Sequence, residues 1–466
     1  MNSKYKTLVK DTFIFALGNI GSKIILFLLV PLYTACMTQE QYGTADLLFT
    51  VAQLVSPVVS IVIFNAVVRF GLAKDENPED VLLSAYIVLG IGAAVTLFLP
   101  FAFAFYEPIA PWRWQISAYV ILLGFYQTNM NYLKVKNKNI WYAGISLIYT
   151  ALMAVLNIIM LAVLHLGVDG YLWAYIISIF IAVLFTVIIG RIPSDLRKAR
   201  FKKSLFVQML KFSVPLILND ISWWVVHSSD KVMLERMMDV KALGVYTVSS
   251  KIPAFINVII NIFIQAWGLS SIREYEDSND SGFYSSVLNV YTFLSFGATI
   301  VLVAFTKPFM RLYVSADFYE AWKYVPILLV AAAFASIAYF YGSLYAALKK
   351  SVRNMVTTLI AALVNIAVNY IGIILWGIYG AAVGTLAAYI VMSMVRMLDV
   401  GRYIKIKVDW ARFCVLFALV TAQSIFVTLD FYGYIASAVT VIAFAVLYRK
   451  MIAEMFGKVK KIVKKK

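Results

Sequence analysis

The sequence has little of what soluble enzymes and metal proteins depend on. Only 2 cysteines and 2 histidines occur among 466 residues, and their spacing fits neither a disulfide framework nor a Cys/His metal site. Charged residues make up 14% of the chain, whereas soluble domains carry about 25%. No GxxxxGK[ST] phosphate-binding loop occurs, which argues against ATP hydrolysis by this chain.

Apolar residues are abundant instead, at 62% of the chain. Runs of 18 or more apolar residues recur along the whole sequence, and such runs are long enough to cross a bilayer as helices. The sequence therefore predicts an all-α, polytopic membrane protein with about fourteen transmembrane helices. The predicted spans are 11–35, 42–66, 81–105, 114–133, 141–165, 168–190, 211–235, 241–268, 284–306, 322–347, 353–376, 378–398, 410–428 and 431–450.

The positive charges predict the orientation. Of the 41 lysines and arginines, 32 fall in loops and helix ends on the side of the N-terminus and 6 on the opposite side. Because cytoplasmic loops carry the excess of lysine and arginine, both termini are expected in the cytoplasm. The net charge of +17 thus reflects membrane topology and predicts no nucleic-acid partner.

Two pairs of segments indicate an internal duplication. "EQYGTADLLF" (40–49) matches "KALGVYTVSS" (241–250), and "LNI…GVDG" (156–170) matches "VNI…GIYG" (364–380). Each copy has six spans, an even number, so both copies cross the membrane in the same direction. The sequence therefore predicts two six-helix lobes related by a pseudo-two-fold axis along the membrane normal. Two extra helices follow at the C-terminus. The predicted domains are an N-terminal lobe (1–190), a cytoplasmic linker (191–210), a C-terminal lobe (211–400), and spans thirteen and fourteen with a basic cytoplasmic tail (401–466).

Polar residues gather on spans one and two and on their partners, spans seven and eight. Lys23 and Lys251 are expected near the midplane of the bilayer, where a charge costs about 2.5–3.5 kcal/mol. We therefore expect both lysines to face a water-filled cavity between the lobes. The other predicted cavity or coupling residues are Asn19, Asp46, Gln53, Asp220, Trp223, His227, Asn257 and Asn261.

A structural alternative stays open for these charges. Lys23 pairing with Asp220, or Lys251 with Asp46, would hold helices together without binding cargo. Lys231 is expected to extend to the external interface, as long basic side chains near helix ends do.

The chain resembles the oligosaccharide and polysaccharide flippases of the multidrug/oligosaccharidyl-lipid/polysaccharide exporter superfamily. The resemblance rests on fourteen spans, the polar first span ending near "PLYTACMTQEQYGTADLL" (31–48), its echo at 239–250, and the "LN…G..G" segments. It implies two lobes around a central cavity, alternating access, and an undecaprenyl-diphosphate-linked oligosaccharide as cargo. Lys23 and Lys251 would then bind the diphosphate.

Other functions are weighed against this one. A cation-coupled multidrug exporter would use acidic and aromatic cavity walls, here Asp46, Asp220, Asp230 and Trp223, although two central lysines weaken that interpretation. A membrane glycan polymerase or ligase is disfavoured because the external loops are short, so no enzyme is predicted. No cofactor is expected. Coupling to H⁺ or Na⁺ and the identity of the glycan stay open. The predicted partners are the lipid-linked oligosaccharide, membrane lipids, and a glycan polymerase and glycosyltransferases.

Overall fold

The computed structural model confirms an all-α polytopic protein. The residues it describes are 21–73, 75–254, 256, 260, 263, 264, 267, 270, 271, 274, 275, 280–449 and 451–453, and they contain no β-strand. By length and composition, ten helices within these ranges could cross a membrane, and Gly21–Cys36 and Gly433–Leu447 are shorter apolar helices. Since lipid offers no hydrogen-bond partners to the backbone, apolar segments must satisfy their own peptide groups as helices.

Contacts divide the chain into two compact units, Met1–Thr247 and Val248–Lys466. The helices of the first unit are α1 (Gly21–Cys36), α2 (Gln39–Ser60), α3 (Ile63–Gly71), α4 (Pro78–Thr96), α5 (Leu99–Phe103), α6 (Arg113–Val135), α7 (Asn139–Asn157, continued as a π-helix over Ile158–Val163), α8 (Gly167–Gly190), α9 (Ile192–Lys198) and α10 (Lys203–Met237). Helix α11 (Val240–Ser249) contains the boundary between the units. The predicted lobe limits remain a prediction.

The described residues of the second unit include six further α-helices and the 3-10 helix Ala316–Lys323. The α-helices are α12 (Ser281–Tyr313), α13 (Val325–Ala347), α14 (Ser351–Trp376), α15 (Ile378–Val400), α16 (Trp410–Thr428) and α17 (Gly433–Leu447). Helix α13 is its centre, with 83% of its most apolar stretch buried. The fully buried Arg396 of α15 donates hydrogen bonds to the Ala338 carbonyl (2.7 Å) and to the hydroxyls of Thr357 (3.1 Å) and Thr358 (2.9 Å), and so joins α13, α14 and α15.

The segment 191–210, which the sequence predicts as a connecting loop, is largely helical. It contains α9 and the first two turns of α10, which therefore begins well before the predicted residue 211. Leu205 and Met209 are buried against a core of α3, α4 and α6. This packing extends α10 beyond the apolar run that predicted it, because its first turns are amphipathic.

The structure supports the internal duplication at two equivalent glycines. Gly167 is the first residue of α8 and has φ +55°, and Gly377 immediately precedes α15 with φ +56°. Gly adopts this left-handed backbone without the clash that a Cβ would bring. Both glycines belong to the matched segments 156–170 and 364–380, and the matched Asn157 and Asn365 are both fully buried. Both copies therefore have a glycine with positive φ at the start of their sixth predicted span.

Candidate transport site

The centre of the candidate site is the carboxylate of Asp46, where α2, α10 and α11 meet. The Lys231 ammonium of α10 lies 2.7 Å from Asp46 Oδ2. The Thr247 hydroxyl of α11 donates a hydrogen bond of 2.9 Å to the same oxygen. The Asp46 and Lys231 side chains are only 13% and 16% exposed, so each charge compensates the other's loss of water.

The start of α2 fixes the position of Asp46. Thr38 and Gln41 form a reciprocal capping box, in which each side chain accepts a hydrogen bond from the other's backbone N–H at 3.1 Å. Such a box satisfies two of the backbone donors that a helix start leaves without partners. Asp46 follows two turns later, about 10 Å along the helix axis. Lys231 lies about 9 Å before the end of α10 by the same rise per residue.

Close contact between α2 and α11 brings Thr247 to Asp46. A Cβ atom built on Gly43 would overlap the Val240 carbonyl oxygen, and one built on Gly244 would overlap the Gln39 carbonyl oxygen. Both positions therefore need glycine for the backbones to approach this closely. The Gly43–Gly244 pair is the one that the sequence alignment of the two copies matched, so the duplicated segments pack against each other here.

Further contacts hold α10 beside α2 and α11. The Trp224 indole N–H donates a hydrogen bond of 2.9 Å to the Thr50 carbonyl of α2. The Tyr246 hydroxyl of α11 hydrogen-bonds to Asp230, the neighbour of Lys231. Because Trp224, Asp230 and Lys231 all make these contacts, the three helices are joined over about two turns of α10.

Aromatic residues of α1 and α8 pack on α2 beside Asp46, since Tyr42 and Phe49 lie within about one turn of it on the same face. The Phe49 ring lies 4.4 Å from the Tyr175 ring and 5.6 Å from the Tyr171 ring. Tyr33 of α1 packs on Tyr42 at 5.7 Å and on Tyr171 at 5.0 Å between ring centroids. Aromatic contacts of this kind add stability beyond their buried area. No pattern in the sequence predicted this aromatic cluster.

Several predicted residues can now be placed. Lys23 of α1 is exposed and forms no ion pair within the described part of the chain. Asp220 accepts a 3.3 Å hydrogen bond from its neighbour Asn219. The alternative pairing of Lys23 with Asp220 is therefore not present among the described contacts.

The remaining predicted residues lie on the same helices or outside the described residues. Trp223 stacks on His227 with 5.5 Å between ring centroids, one helical turn before Lys231 on α10. Gln53 and His227 are exposed, and Lys251, in the second compact unit, is half-buried. Asn19, Asn257 and Asn261 lie outside the residues that the structure describes.

The extension of Lys231 to the external interface stays a prediction. The structure shows a partner that the sequence did not predict, because the Lys231 ammonium binds Asp46. A signal was present in the sequence, because Lys231 follows His227 by four residues and so continues the polar stripe of span seven. The polar stripe does not predict which residue pairs with Lys231, because that partner lies on a helix that is distant in sequence.

The comparisons with known proteins bear on this site. A sequence model of the family described as "Polysaccharide biosynthesis protein" matches residues 8–267, more than half of the chain. The "Lsg locus putative protein 1" of Haemophilus influenzae is 25% identical over 264 residues, which cover 55% of this chain. The chain spans 63% of that relative's length, somewhat less than two thirds.

Solved structures share the fold at low sequence identity. The "Lipid II flippase MurJ, inward closed conformation" superposes with a TM-score of 0.69 at 14% identity, covering 95% of this chain and all of that one. An inward-facing MATE multidrug transporter gives 0.69 at 14% identity, covering 84% of this chain and 94% of that one. The Vibrio cholerae MATE transporter VcmN in its bent form gives 0.58 at 14% identity, covering 87% of this chain and 98% of that one.

These similarities confirm the resemblance drawn from the sequence. The fold is shared by a lipid flippase and by multidrug transporters, so it does not choose between their cargoes. The family match covers α1, α2, α10 and α11, the helices that carry the candidate site. The chain belongs to the polysaccharide biosynthesis protein family of multi-pass membrane proteins.

Proposed function

We propose that the protein flips undecaprenyl-diphosphate-linked oligosaccharide units from the inner to the outer leaflet of a bacterial cytoplasmic membrane. It does so by alternating access, with both termini in the cytoplasm, and supplies cell-surface polysaccharide biosynthesis. Membership of the polysaccharide biosynthesis family and a fold shared with a lipid II flippase support this proposal. A glycan polymerase and glycosyltransferases would act beside it, on the exported and the growing oligosaccharide.

The observation that carries the proposal is the different environment of two lysines. Lys231 is neutralised by Asp46 at 2.7 Å, whereas Lys23 is exposed and has no ion-pair partner among the described residues. A lysine facing lipid at this depth would be costly, so Lys23 faces the cargo path. An ammonium group there suits the diphosphate of the cargo as a point charge. Lys251 would bind the same diphosphate from span eight.

The cluster of Asp46, Lys231 and Thr247 would close the cargo path at its external end. Under the orientation that the basic residues predict, α2 begins and α10 ends at the external face. The Gly43–Gly244 crossing and the Asp46–Lys231 pair join these helix ends tightly. Release of cargo to the outer leaflet requires α2 to separate from α10 and α11, which breaks both contacts.

The multidrug exporter is the second reading, and the site favours it less. A transporter for organic cations needs an acidic side chain available to its cargo, and Asp46 is already paired with Lys231. Asp220 and His227 lie on the same face of α10 and are the residues that would couple H⁺ or Na⁺ movement to transport.

The two readings separate in one experiment on cells. We would delete the chromosomal gene, restore the wild-type chain from a plasmid, and measure surface polysaccharide and ethidium efflux in parallel. The proposal expects loss of surface polysaccharide, accumulation of lipid-linked oligosaccharide accessible from the cytoplasm, and unchanged ethidium efflux in the deletion strain. Loss of ethidium efflux with normal polysaccharide would overturn it in favour of the exporter.

A further inference from the structure

The second compact unit contains a cavity that is separate from the residues of the candidate transport site. Its volume is about 290 Å³, and it lies between the first turns of α12, the end of α15, and the segment that leads into α16. The distribution of basic residues predicts that these helix ends lie on the cytoplasmic side. In that orientation the cavity would open at the level of the lipid headgroups of the inner leaflet.

One wall of the cavity is polar and has unused hydrogen-bonding groups. Ser285, Ser286, Asn289 and Thr292 of α12 line it at spacings that put them on one face of the helix. Within the described residues, the structure records no side-chain hydrogen bond for Ser286, Asn289 or Thr292. Thr292 is only 8% exposed. Ser286 and Asn289 are exposed at the surface, so the indication of a ligand comes from Thr292. A buried polar group that faces a cavity without a partner among the described residues indicates a polar ligand.

Two cations complete this wall. The backbone N–H of Lys407 donates a 2.8 Å hydrogen bond to the Ser285 hydroxyl, which holds the segment before α16 against α12. The Arg412 Nε lies 3.0 Å from Asp409 Oδ2. Lys407 forms no ion pair within the described part of the chain. The two cations and the one carboxylate leave the cavity with a net positive charge, which favours an anionic ligand.

The rest of the cavity wall is apolar. Leu288, Ile337 and Phe413 line it beside Tyr448. On α12, Val290 and Leu294 are 39% and 47% exposed, as expected for residues in contact with acyl chains. A ligand that fills both parts must have an anionic head and an apolar body.

We propose that this cavity binds the phosphate headgroup of an anionic membrane phospholipid from the inner leaflet. Lys407 and Arg412 bind the phosphate, Asn289 and Thr292 donate hydrogen bonds to the headgroup, and the acyl chains lie along the apolar side. The site is independent of the proposed transport function, because it needs neither the cargo nor the polar residues of α1, α2 and α10.

The test counts lipids on the purified full-length protein by native mass spectrometry. Phosphatidylglycerol is titrated against phosphatidylcholine, and sn-glycerol 3-phosphate is added as a competitor without acyl chains. We expect one phosphatidylglycerol to stay bound where phosphatidylcholine is lost, with no displacement by equimolar glycerol phosphate. Equal retention of phosphatidylcholine would overturn the charge assignment. Displacement by glycerol phosphate would show a site for soluble phosphates and overturn the lipid assignment.

Matched variants locate the site. The double variant Lys407→Gln/Arg412→Gln should bind phosphatidylglycerol at least about tenfold more weakly, since each basic group near a membrane surface contributes about 1 kcal/mol. The control Arg402→Gln/Lys405→Gln removes the same charge from the same connecting segment outside the cavity, and should bind as the wild type does. An equal loss in the control would mean that only the general surface charge attracts the lipid, and the site would be rejected.

A second variant covers the case in which the double variant does not fold. Thr292→Val keeps the shape and the charge but removes one hydroxyl. The loss of one hydrogen bond should weaken phosphatidylglycerol binding about two- to tenfold, with an unchanged thermal unfolding midpoint in phosphatidylcholine. Unchanged phosphatidylglycerol binding by Thr292→Val would contradict the assignment of the polar wall.

Discussion

Gly43 and Gly244, which are equivalent in the two copies of the duplicated segment, pack backbone against backbone where α2 crosses α11. The contact is reciprocal. Gly43 faces the Val240 carbonyl and Gly244 faces the Gln39 carbonyl. Gln39 and Val240 become equivalent when the alignment of 40–49 with 241–250 is extended by one residue. Reciprocal contact between equivalent residues is what a local two-fold axis produces. The crossing therefore supports the duplication with geometry that sequence similarity alone does not provide.

The first prediction concerns this crossing. Gly43→Ala and Gly244→Ala should each lower the free energy of unfolding by about 1–3 kcal/mol, because the new methyl group meets a backbone carbonyl that cannot move aside easily. Thermal unfolding of the purified protein measures the effect. Gly90→Ala is the control, since a Cβ at Gly90 meets no atom within 4 Å. Equal destabilisation by the control would show that the crossing is not specifically tight.

The second prediction concerns the Asp46–Lys231 ion pair. Asp46→Asn or Lys231→Gln alone should cost about 3 kcal/mol of unfolding free energy, because each leaves a largely buried charge without its partner. The double variant should cost clearly less than the sum, with a coupling energy of about 1–3 kcal/mol.

The same cycle on an exposed pair is the control for that measurement. Glu320 and Lys323 lie 3.8 Å apart with side chains 49% and 41% exposed, so their coupling should be below about 1 kcal/mol. Additive effects of the Asp46 and Lys231 substitutions would contradict the view that this ion pair joins the start of α2 to the end of α10.

The third prediction concerns Lys23 and the cargo. Lys23→Gln should abolish glycan export at nearly unchanged protein abundance, and so should Lys251→Gln. Lys23→Arg should keep part of the activity, since the charge remains although its geometry differs. Surface polysaccharide is the readout, and Lys198→Gln, at an exposed lysine of α9, is the control.

A double variant separates cargo binding from helix pairing at Lys23. If Lys23 served only to neutralise Asp220, the variant Lys23→Ala/Asp220→Ala would restore export by removing both charges. We expect it to stay inactive. Export near the wild-type level in this variant would rule out cargo binding by Lys23.

The fourth prediction concerns orientation. In single-cysteine variants, Cys36 should react with a membrane-impermeant maleimide on intact cells, and Cys414 only after permeabilisation. Cys36 is half-buried and Cys414 is exposed. In permeabilised cells, where the reagent reaches both residues, Cys36 should therefore react more slowly than Cys414. Reaction of Cys414 on intact cells would contradict cytoplasmic termini.

The candidate site was only partly predictable. Helical periodicity predicted that polar residues share one face of span two, which includes Asp46, and one face of span seven, because residues three and four apart in a helix share a face. The glycine match at Gly43 and Gly244 came from comparing the two copies. The partner of Asp46 did not follow, since periodicity assigns a residue to a face of its own helix and says nothing about the helix opposite.

The sequence by itself determined that the chain is a multi-pass helical membrane protein with four polar helices. The physical reason is local, because a bilayer forces each apolar run to satisfy its own backbone hydrogen bonds, and helix positions then follow from composition. Only the tertiary structure decided that Lys231 binds Asp46, that α10 begins at Lys203, and that Arg396 is buried among hydroxyls. These features depend on the depth and rotation of each helix, which packing between segments distant in sequence sets.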